Sequence, residues 1–460
     1  MARVLVTGVA PLPFENQRIN YALNNRTWLI ARALMEEGHQ VCLLGLRVKG
    51  AYYDEERIDE ILFQKIQENL SYYSLAREVF RPKLLNRHYR DFRPDCIVGA
   101  GTVPSSYAVR IRTDKPIWAD LFGSLLAEAQ AKAAVYDDDF FPAFWRRLEI
   151  MTLKRADIFS TVSTPQKYAV IGELGLLGRL NKHTLNYDFV RVMPICLDDE
   201  PFSHSKIVLR NKLVHEDDFV ILWSGGYNTW TDVETLFDGL LKAMGKNNKI
   251  RFVSTGGAIE RHDEMTFSRF FNKVKQSGFS EKFIFLGWIP TQDVGNYYLE
   301  SDVGINVDRF SYEALLGARN RLNEMMKASL PIITTKIAEI SGLIEKKGLG
   351  ITYPIGDSDA LAGAILSLAD EPARLKKYKE NLANYSLQEL SYKTLMRPLK
   401  EWVRDPRLAP DFGKKVRSDH FSSLQKGQYL ARQASLIFKK EGAKGVIRQA
   451  KKSLKGLTKS

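Results

Sequence analysis

The chain has 460 residues, 45% of them apolar, and a formal net charge of +13. That length exceeds one ordinary core and calls for two or three domains, and the apolar share belongs to a folded chain, not a disordered one. The cysteines Cys42, Cys96 and Cys196 stand too far apart for a zinc site or a disulfide framework, which fits a reducing cytoplasm, and no run of about 18 apolar residues marks a membrane span.

The first residues enter a strand over 3–8 directly, unlike a signal peptide. A helix is expected over 26–37, with Asn24 or Asn25 as its N-cap and Gly38 as its stop. Strands follow over 40–46, 96–101 and 116–120, then a helix over 141–155, a strand over 158–162, a helix over 166–174 and a strand over 190–195. Residues 198–202 read as a linker. The alternation then restarts, with strands over 219–223, 250–255, 283–286, 302–307, 331–335 and 350–353. The helices among them run over 233–244, 265–277, 291–301, 319–328 and 340–347. Two more helices close the pattern, over 360–369 and 373–386. Such alternation means parallel sheets covered by helices on both faces. Two rounds of it mean two doubly wound domains, 1–197 and 198–385, whose ligands lie beyond the carboxyl ends of the strands in a shared cleft.

The segment from Glu313 through Arg319, Arg321 and Glu324 to Pro331 carries the most chemistry. It places two guanidiniums at a helix mouth, where the backbone already favours anions, and Arg319 and Arg321 have the forked donors that grip phosphate. Glu324, about one turn further along, offers an acceptor for sugar hydroxyls. Anion grip and diol acceptor together suit a sugar nucleotide; a surface helix with ordinary charge pairs is the plainer reading. Gly225 and Gly226, between Trp223 and Trp230 after the first strand of the second domain, let backbone amides approach a pyrophosphate. Gly256 ends the next strand and Trp288 follows the third, where a nucleobase would stack; simple turns explain these equally well. In the first domain Asp120 ends a strand and Glu128 supplies a second carboxylate. Asp120 either orients an acceptor hydroxyl or serves as a cap or salt-bridge partner. Asp137–Asp139 reads as a solvated acidic loop rather than a metal site. The seven histidines do not cluster. The motifs of esterases, phosphate-loop NTPases and nicotinamide enzymes are missing.

These residues resemble the bacterial glycosyltransferases of family 4, retaining enzymes of the GT-B architecture. The resemblance rests on Glu313, Arg319, Arg321, Glu324 and Ser329-Leu330-Pro331, on Trp223-Ser-Gly-Gly, on Gly287-Trp288-Ile289-Pro290 and Ser301-Asp302-Val303-Gly304. In the first domain it rests on Asp120-Leu-Phe with Glu128, and on Gly178-Arg179-Leu180-Asn181. It covers about residues 1–400. It implies a nucleotide-diphospho-sugar donor held by the second domain, with Glu324 on the ribose, Arg319 and Arg321 on the pyrophosphate, and Glu313 at the donor sugar. Transfer with retention, without metal or cofactor, is implied, the main task being to stabilise the leaving diphosphate. The catalytic candidates are Asp120, Glu313 and Arg319. The donor-binding candidates are Gly225, Gly226, Trp230, Gly256, Trp288, Arg319, Arg321 and Glu324. Asn25, Arg26 and Glu128 are the candidates for the acceptor. Four departures stand out. Leu316 occupies a site where the wider family has Glu, and Gly123 one where it has Asp. The family's Arg and Lys are missing from 224–232, and 11–25 replaces its Gly-rich first loop.

GT-B chains cross back to the first domain, and residues 386–410, with Trp402, are expected to do so. Of the Lys and Arg, 13 fall in 411–460 against 3 Asp and Glu, so the basic excess belongs to this tail. Val446, Ile447, Ala450, Leu454 and Leu457 share one helical face there, with Arg448, Lys451, Lys452 and Lys455 mostly off it. That is the pattern of an interfacial helix attracted to anionic lipid at about 1 kcal/mol per basic residue. A solvated tail is the plainer reading; nucleic acid is not expected, since Phe421, Tyr429 and Phe438 form no recognition motif. The expected activity is transfer to a glycan or lipid-linked acceptor in cell-surface polysaccharide assembly, on the inner face of the cell membrane. A degenerate scaffold of a glycan-assembly complex and a sugar-nucleotide epimerase are the alternatives.

Overall fold

A computed structural model describes residues 1–15, 17–18, 21–52, 61–260 and 262–414, together with isolated positions between 431 and 448; the side chains of 65–66 and 386–388 are outside the description. Met1–Phe412 is one compact unit and Gly413–Ser460 a second. The first half of the large unit runs β1 (Arg3–Ala10), α1 (Ala22–Glu36), β2 (Gln40–Arg47), β3 (Leu62–Gln67), β4 (Leu70–Leu75), α2 (Pro82–Phe92) and β5 (Cys96–Gly99). It continues through α3 (Thr102–Ala108), β6 (Ile117–Leu121), α4 (Leu125–Tyr136), α5 (Phe140–Arg155), β7 (Ile158–Thr161), α6 (Thr164–Leu176) and β8 (Val190–Val192). These strands form one sheet in the order β3-β4-β2-β1-β5-β6-β7-β8.

The second half runs β9 (Phe219–Ser224), α7 (Val233–Lys246), β10 (Ile250–Thr255), α8 (Met265–Gln276), β11 (Phe283–Phe285), α9 (Val294–Leu299) and β12 (Val303–Asn306). Then come α10 (Tyr312–Leu316), α11 (Asn320–Lys327), β13 (Ile332–Thr335), α12 (Glu339–Lys347), β14 (Gly350–Tyr353), α13 (Ser358–Asp370) and α14 (Pro372–Glu389). Its sheet is β11-β10-β9-β12-β13-β14, all parallel. The two lobes are both doubly wound, as the strand and helix pattern predicts.

Two expectations are corrected. The first sheet is not wholly parallel: β3 and β4 form an antiparallel pair at its edge, which the weak apolar pattern of 62–75 did not reveal. Helix α1 starts at Ala22 with Tyr21 in the cap position and no side-chain cap, so Asn24 and Asn25 lie inside its first turn.

The last short helices, α15 (Tyr392–Leu395) and α16 (Arg397–Arg404), return to the first lobe. Tyr392, Met396, Leu399 and Val403 join the core of Val4, Leu34 and Trp118, and Trp402 packs on Trp118 with ring centres 5.5 Å apart. In the small unit the described residues 445–448 are helical, with Ile447 and Arg448 exposed. Ala450, Lys451, Lys452, Leu454, Lys455 and Leu457 lie outside the described residues.

Candidate active site between the lobes

In the second sheet the strand order reverses beside β9, which lies between β10 and β12. Loops leaving the carboxyl ends of these strands therefore flank a crevice. Helix α11 is drawn onto β12 by Leu322, Met325 and Met326, all buried. Gly304 permits that approach: a Cβ there would stand 2.5 Å from the Met325 sulfur. The N-terminus of α11 is thereby fixed beside the loop after β9.

Arg319 and Arg321 enter this mouth with different fates. Arg319 is 5% exposed and its guanidinium is fully engaged. Nε donates to Asp308 at 2.8 Å, while Nη1 and Nη2 donate to the two Glu313 oxygens at 3.0 and 2.8 Å. Asp308 also accepts from Asn306 Nδ2 at 2.9 Å. Burial disfavours the charge on Arg319, but Asp308 and Glu313 more than offset it and hold its pKa above the usual value. Burial likewise pushes the Glu313 carboxyl up to about 7 despite the pull of Arg319. Trp230 covers this cluster, its ring centre 5.3 Å from the Arg319 guanidinium carbon. Arg319, expected on the pyrophosphate, has its guanidinium held inside the lobe by Asp308 and Glu313.

Among the described residues, Arg321 has no carboxylate partner. Its Nη2 donates to the Gly226 carbonyl at 2.6 Å, its guanidinium lies 3.7 Å from the centre of the Trp223 ring, and its Nη1 is buried with no protein acceptor. Burial lowers its pKa to about 10, so it stays charged at neutral pH. The Gly225–Gly226 turn beside it is braced from behind. A Cβ on Gly256 would lie 2.1 Å from the Gly225 carbonyl oxygen, so these backbones touch only because Gly256 has no side chain. Gly225 itself has φ +91°, a conformation glycine adopts freely. Trp288 stands at the edge of this turn, its indole N–H donating to the Ala258 carbonyl at 2.9 Å, and remains 38% exposed.

A cavity of about 170 Å³ lies between the lobes, lined by Asn25, Arg26 and Phe122 from one side and Asn320 and Glu324 from the other. Burial raises the Glu324 carboxyl to about 7. Asn25 and Glu324, expected on different substrates, therefore share one space. Arg26 reaches its wall but is spent on the fold. It donates to Asp120 from Nε at 3.1 Å and Nη2 at 2.9 Å, and to the carbonyls of Pro194 and Met193 at 2.7 and 2.8 Å. Asp120 is fully buried and also accepts from Ser160 Oγ at 2.6 Å. Of the two readings for Asp120, the salt-bridge partner is the one the structure shows, and Arg26 is its mate rather than a free acceptor ligand.

The lobes meet where α10 packs against α4 and α6, and Ser163 Oγ donates to the Leu316 carbonyl. Glu128, on α4, faces His262 of the second lobe at 3.7 Å. Burial raises the Glu128 carboxyl, and burial with Lys132 lowers His262 to about 4, so the imidazole is neutral near pH 7. Asp137 ends α4 in a left-handed conformation at φ 54°, in a turn before α5. Sequence reasoning missed Asp308, Asn306, Asn320 and His262. Asp308, at a strand end next to a family motif, had the one usable signal.

The chain matches two family models in succession, Glycosyltransferase Family 4 over residues 23–179 and Glycosyl transferases group 1 over residues 218–371. No curated protein matches it in sequence. Among solved structures it is similar to sucrose-phosphate synthase from Thermosynechococcus elongatus, with a TM-score of 0.64 and 15% identity over 88% of this chain and 98% of that one. It is also similar to the trehalose-6-phosphate protein of E. coli bound with UDP-2-fluoro glucose, with a TM-score of 0.62 and 12% identity over 88% and 100% of the two chains. A third likeness is to Anabaena HepE in complex with UDP and glucose, with a TM-score of 0.60 and 14% identity over 88% and 100%. The structural likenesses carry the fold, the two family models together span more than half of the chain, and the protein belongs to the family 4-like glycosyltransferases of GT-B architecture.

Proposed function

We propose that this glycosyltransferase moves a sugar, with retention, from a nucleotide-diphospho-sugar to a glycan or lipid-linked acceptor in cell-surface polysaccharide assembly. One observation carries the donor reading: a half-buried, charged Arg321 whose buried Nη1 has no acceptor among the described residues, beside the glycine turn after β9. A buried donor without an acceptor costs stability unless a ligand completes it, and a diphosphate oxygen would do so. The reading gives Arg321 and the α11 N-terminus the charge of the departing diphosphate, with no resident metal or cofactor assigned. Glu324 and Asn320 face the cavity where a ribose diol would accept and donate hydrogen bonds. Trp288 offers a flat, half-open surface for the base, and UDP complexes of similarly folded proteins support a nucleotide there. Glu313 and Arg319 act together as a positioning unit for the loop that carries Arg321. Asn25 and Glu128 line the acceptor side. Membrane placement through 411–460, on the inner face, completes the reading.

A scaffold reading draws on Leu316, where the wider family has a carboxylate, and whose carbonyl is tied to Ser163. The test is release of nucleoside diphosphate from a panel of nucleotide sugars. Arg321→Ala is expected to lower turnover by about 10²–10³-fold, as loss of a transition-state donor does elsewhere. Donor-induced thermal stabilisation without any turnover would favour the scaffold.

A further inference from the structure

Six large apolar side chains of the first lobe stand in water, three on α5 and three at the end of α6 and in the loop after it. Phe140, Phe144 and Ile150 on α5 are 64%, 43% and 37% exposed, and Leu176, Leu180 and Leu185 are 83%, 52% and 77% exposed. Arg179 Nη1 donates to the Leu153 carbonyl at 2.8 Å, which brings the end of α6 and the loop after it to the C-terminal end of α5. On α5 the exposed positions 140, 143, 144, 147 and 150 follow the i, i+3, i+4, i+7 rule of a single stripe. Phe140 and Phe144 stack with centres 5.9 Å apart, and Trp145 meets Phe144 edge-on at 5.0 Å. A patch of this kind is unusual on a protein surface that faces only water.

Basic side chains accompany it: Arg147 lies within the α5 stripe, and Arg146, Lys154 and Lys182 are exposed. The acidic turn Asp137–Asp139 lies at the Phe140 end alone, and Lys132 stands on that side over the Phe141 ring at 4.6 Å. Aromatic wedges flanked by Arg and Lys suit the boundary between acyl chains and anionic headgroups. We propose that the exposed stripe of α5, with the end of α6 at its C-terminal end, docks on an anionic lipid surface. The inference deepens the membrane placement proposed above by naming a folded contact that does not depend on 411–460. It also gives α4 a use: this helix packs on α5 and carries Glu128 at the interlobe contact, so the docked face lies one helix away from the acceptor side.

The experiment uses the full chain with Ala143→Cys labelled with an environment-sensitive fluorophore; Cys42, Cys96 and Cys196 are buried. The probes are vesicles of phosphatidylcholine alone and of phosphatidylcholine with phosphatidylglycerol. The expected result is a blue-shifted, brighter emission with the anionic vesicles only. Adding Phe140→Ser and Phe144→Ser should weaken vesicle partition by about 10- to 100-fold. Co-sedimentation with vesicles while the label at 143 keeps its aqueous spectrum would overturn the proposal and leave the tail reading standing. Failure to sediment at all would overturn both. An emission change that follows protein concentration without vesicles would also overturn it, as a contact between copies of the chain.

Discussion

The two sides of the cleft treat their buried cations in opposite ways. On the first lobe, Arg26 has Asp120 and two carbonyls as partners. On the second, Arg319 is likewise saturated, yet Arg321 keeps a buried Nη1 with no protein acceptor. A fully paired buried charge holds elements together and has nothing left to offer a substrate, whereas an unpaired one is poised for a ligand. The same residue type thus serves as scaffold at positions 26 and 319 and as a candidate ligand at 321.

The sharpest way to break this contrast is Asp120→Ala. It strands the Arg26 charge and should cost about 3–5 kcal/mol of stability, read by denaturant unfolding. Normal stability with lost turnover would return Asp120 to the chemistry. Arg321→Ala should act the other way, raising the barrier by about 3–4 kcal/mol while the fold persists, checked by turnover and circular dichroism together.

A third test uses carboxyls away from the cleft. Glu149 and Glu173 each bury an unpaired oxygen, and burial raises them to about 8 and about 7. Carboxyls raised in the folded state bind protons more tightly there than in the unfolded chain. Their contribution is therefore full below the ordinary carboxyl range near 4.5 and is lost as pH rises through about 8 for Glu149. Melting temperature should fall from pH 5 to pH 9, and Glu149→Gln should recover roughly 2–4 kcal/mol at the alkaline end and little at the acid end.

Smaller effects probe the donor side. If Glu324 accepts from a diol, donor affinity should weaken as pH drops through about 7 and the carboxyl gains its proton. Glu324→Gln should flatten that profile in a binding titration. Trp288→Ala should weaken nucleotide binding by about tenfold, near 1–2 kcal/mol, the scale of one stacked base. An unchanged affinity would remove Trp288 from the site.

Much of the architecture was readable in the chain because period-2 and period-3.6 apolar patterns follow from local geometry. The rounds of strand and helix, the glycine turn after β9 and the helix carrying Arg321 and Glu324 all have that local origin. The β3–β4 pair escaped because an edge hairpin with one face in water leaves little apolar signal. The start of α1 escaped because its cap position holds Tyr21, which makes no side-chain cap bond.

The order of elements, the basic tail and the family motifs were therefore fixed by residue type and spacing alone. Which arginine is free was not, since Arg319 and Arg321 are equivalent in composition and differ by one position in between. That distinction needed Asp308, eleven residues earlier, and Gly226, far back in the chain, brought to the same helix mouth. Charge pairing across such separations depends on how β9, β12 and α11 pack, and only the folded lobe decides it.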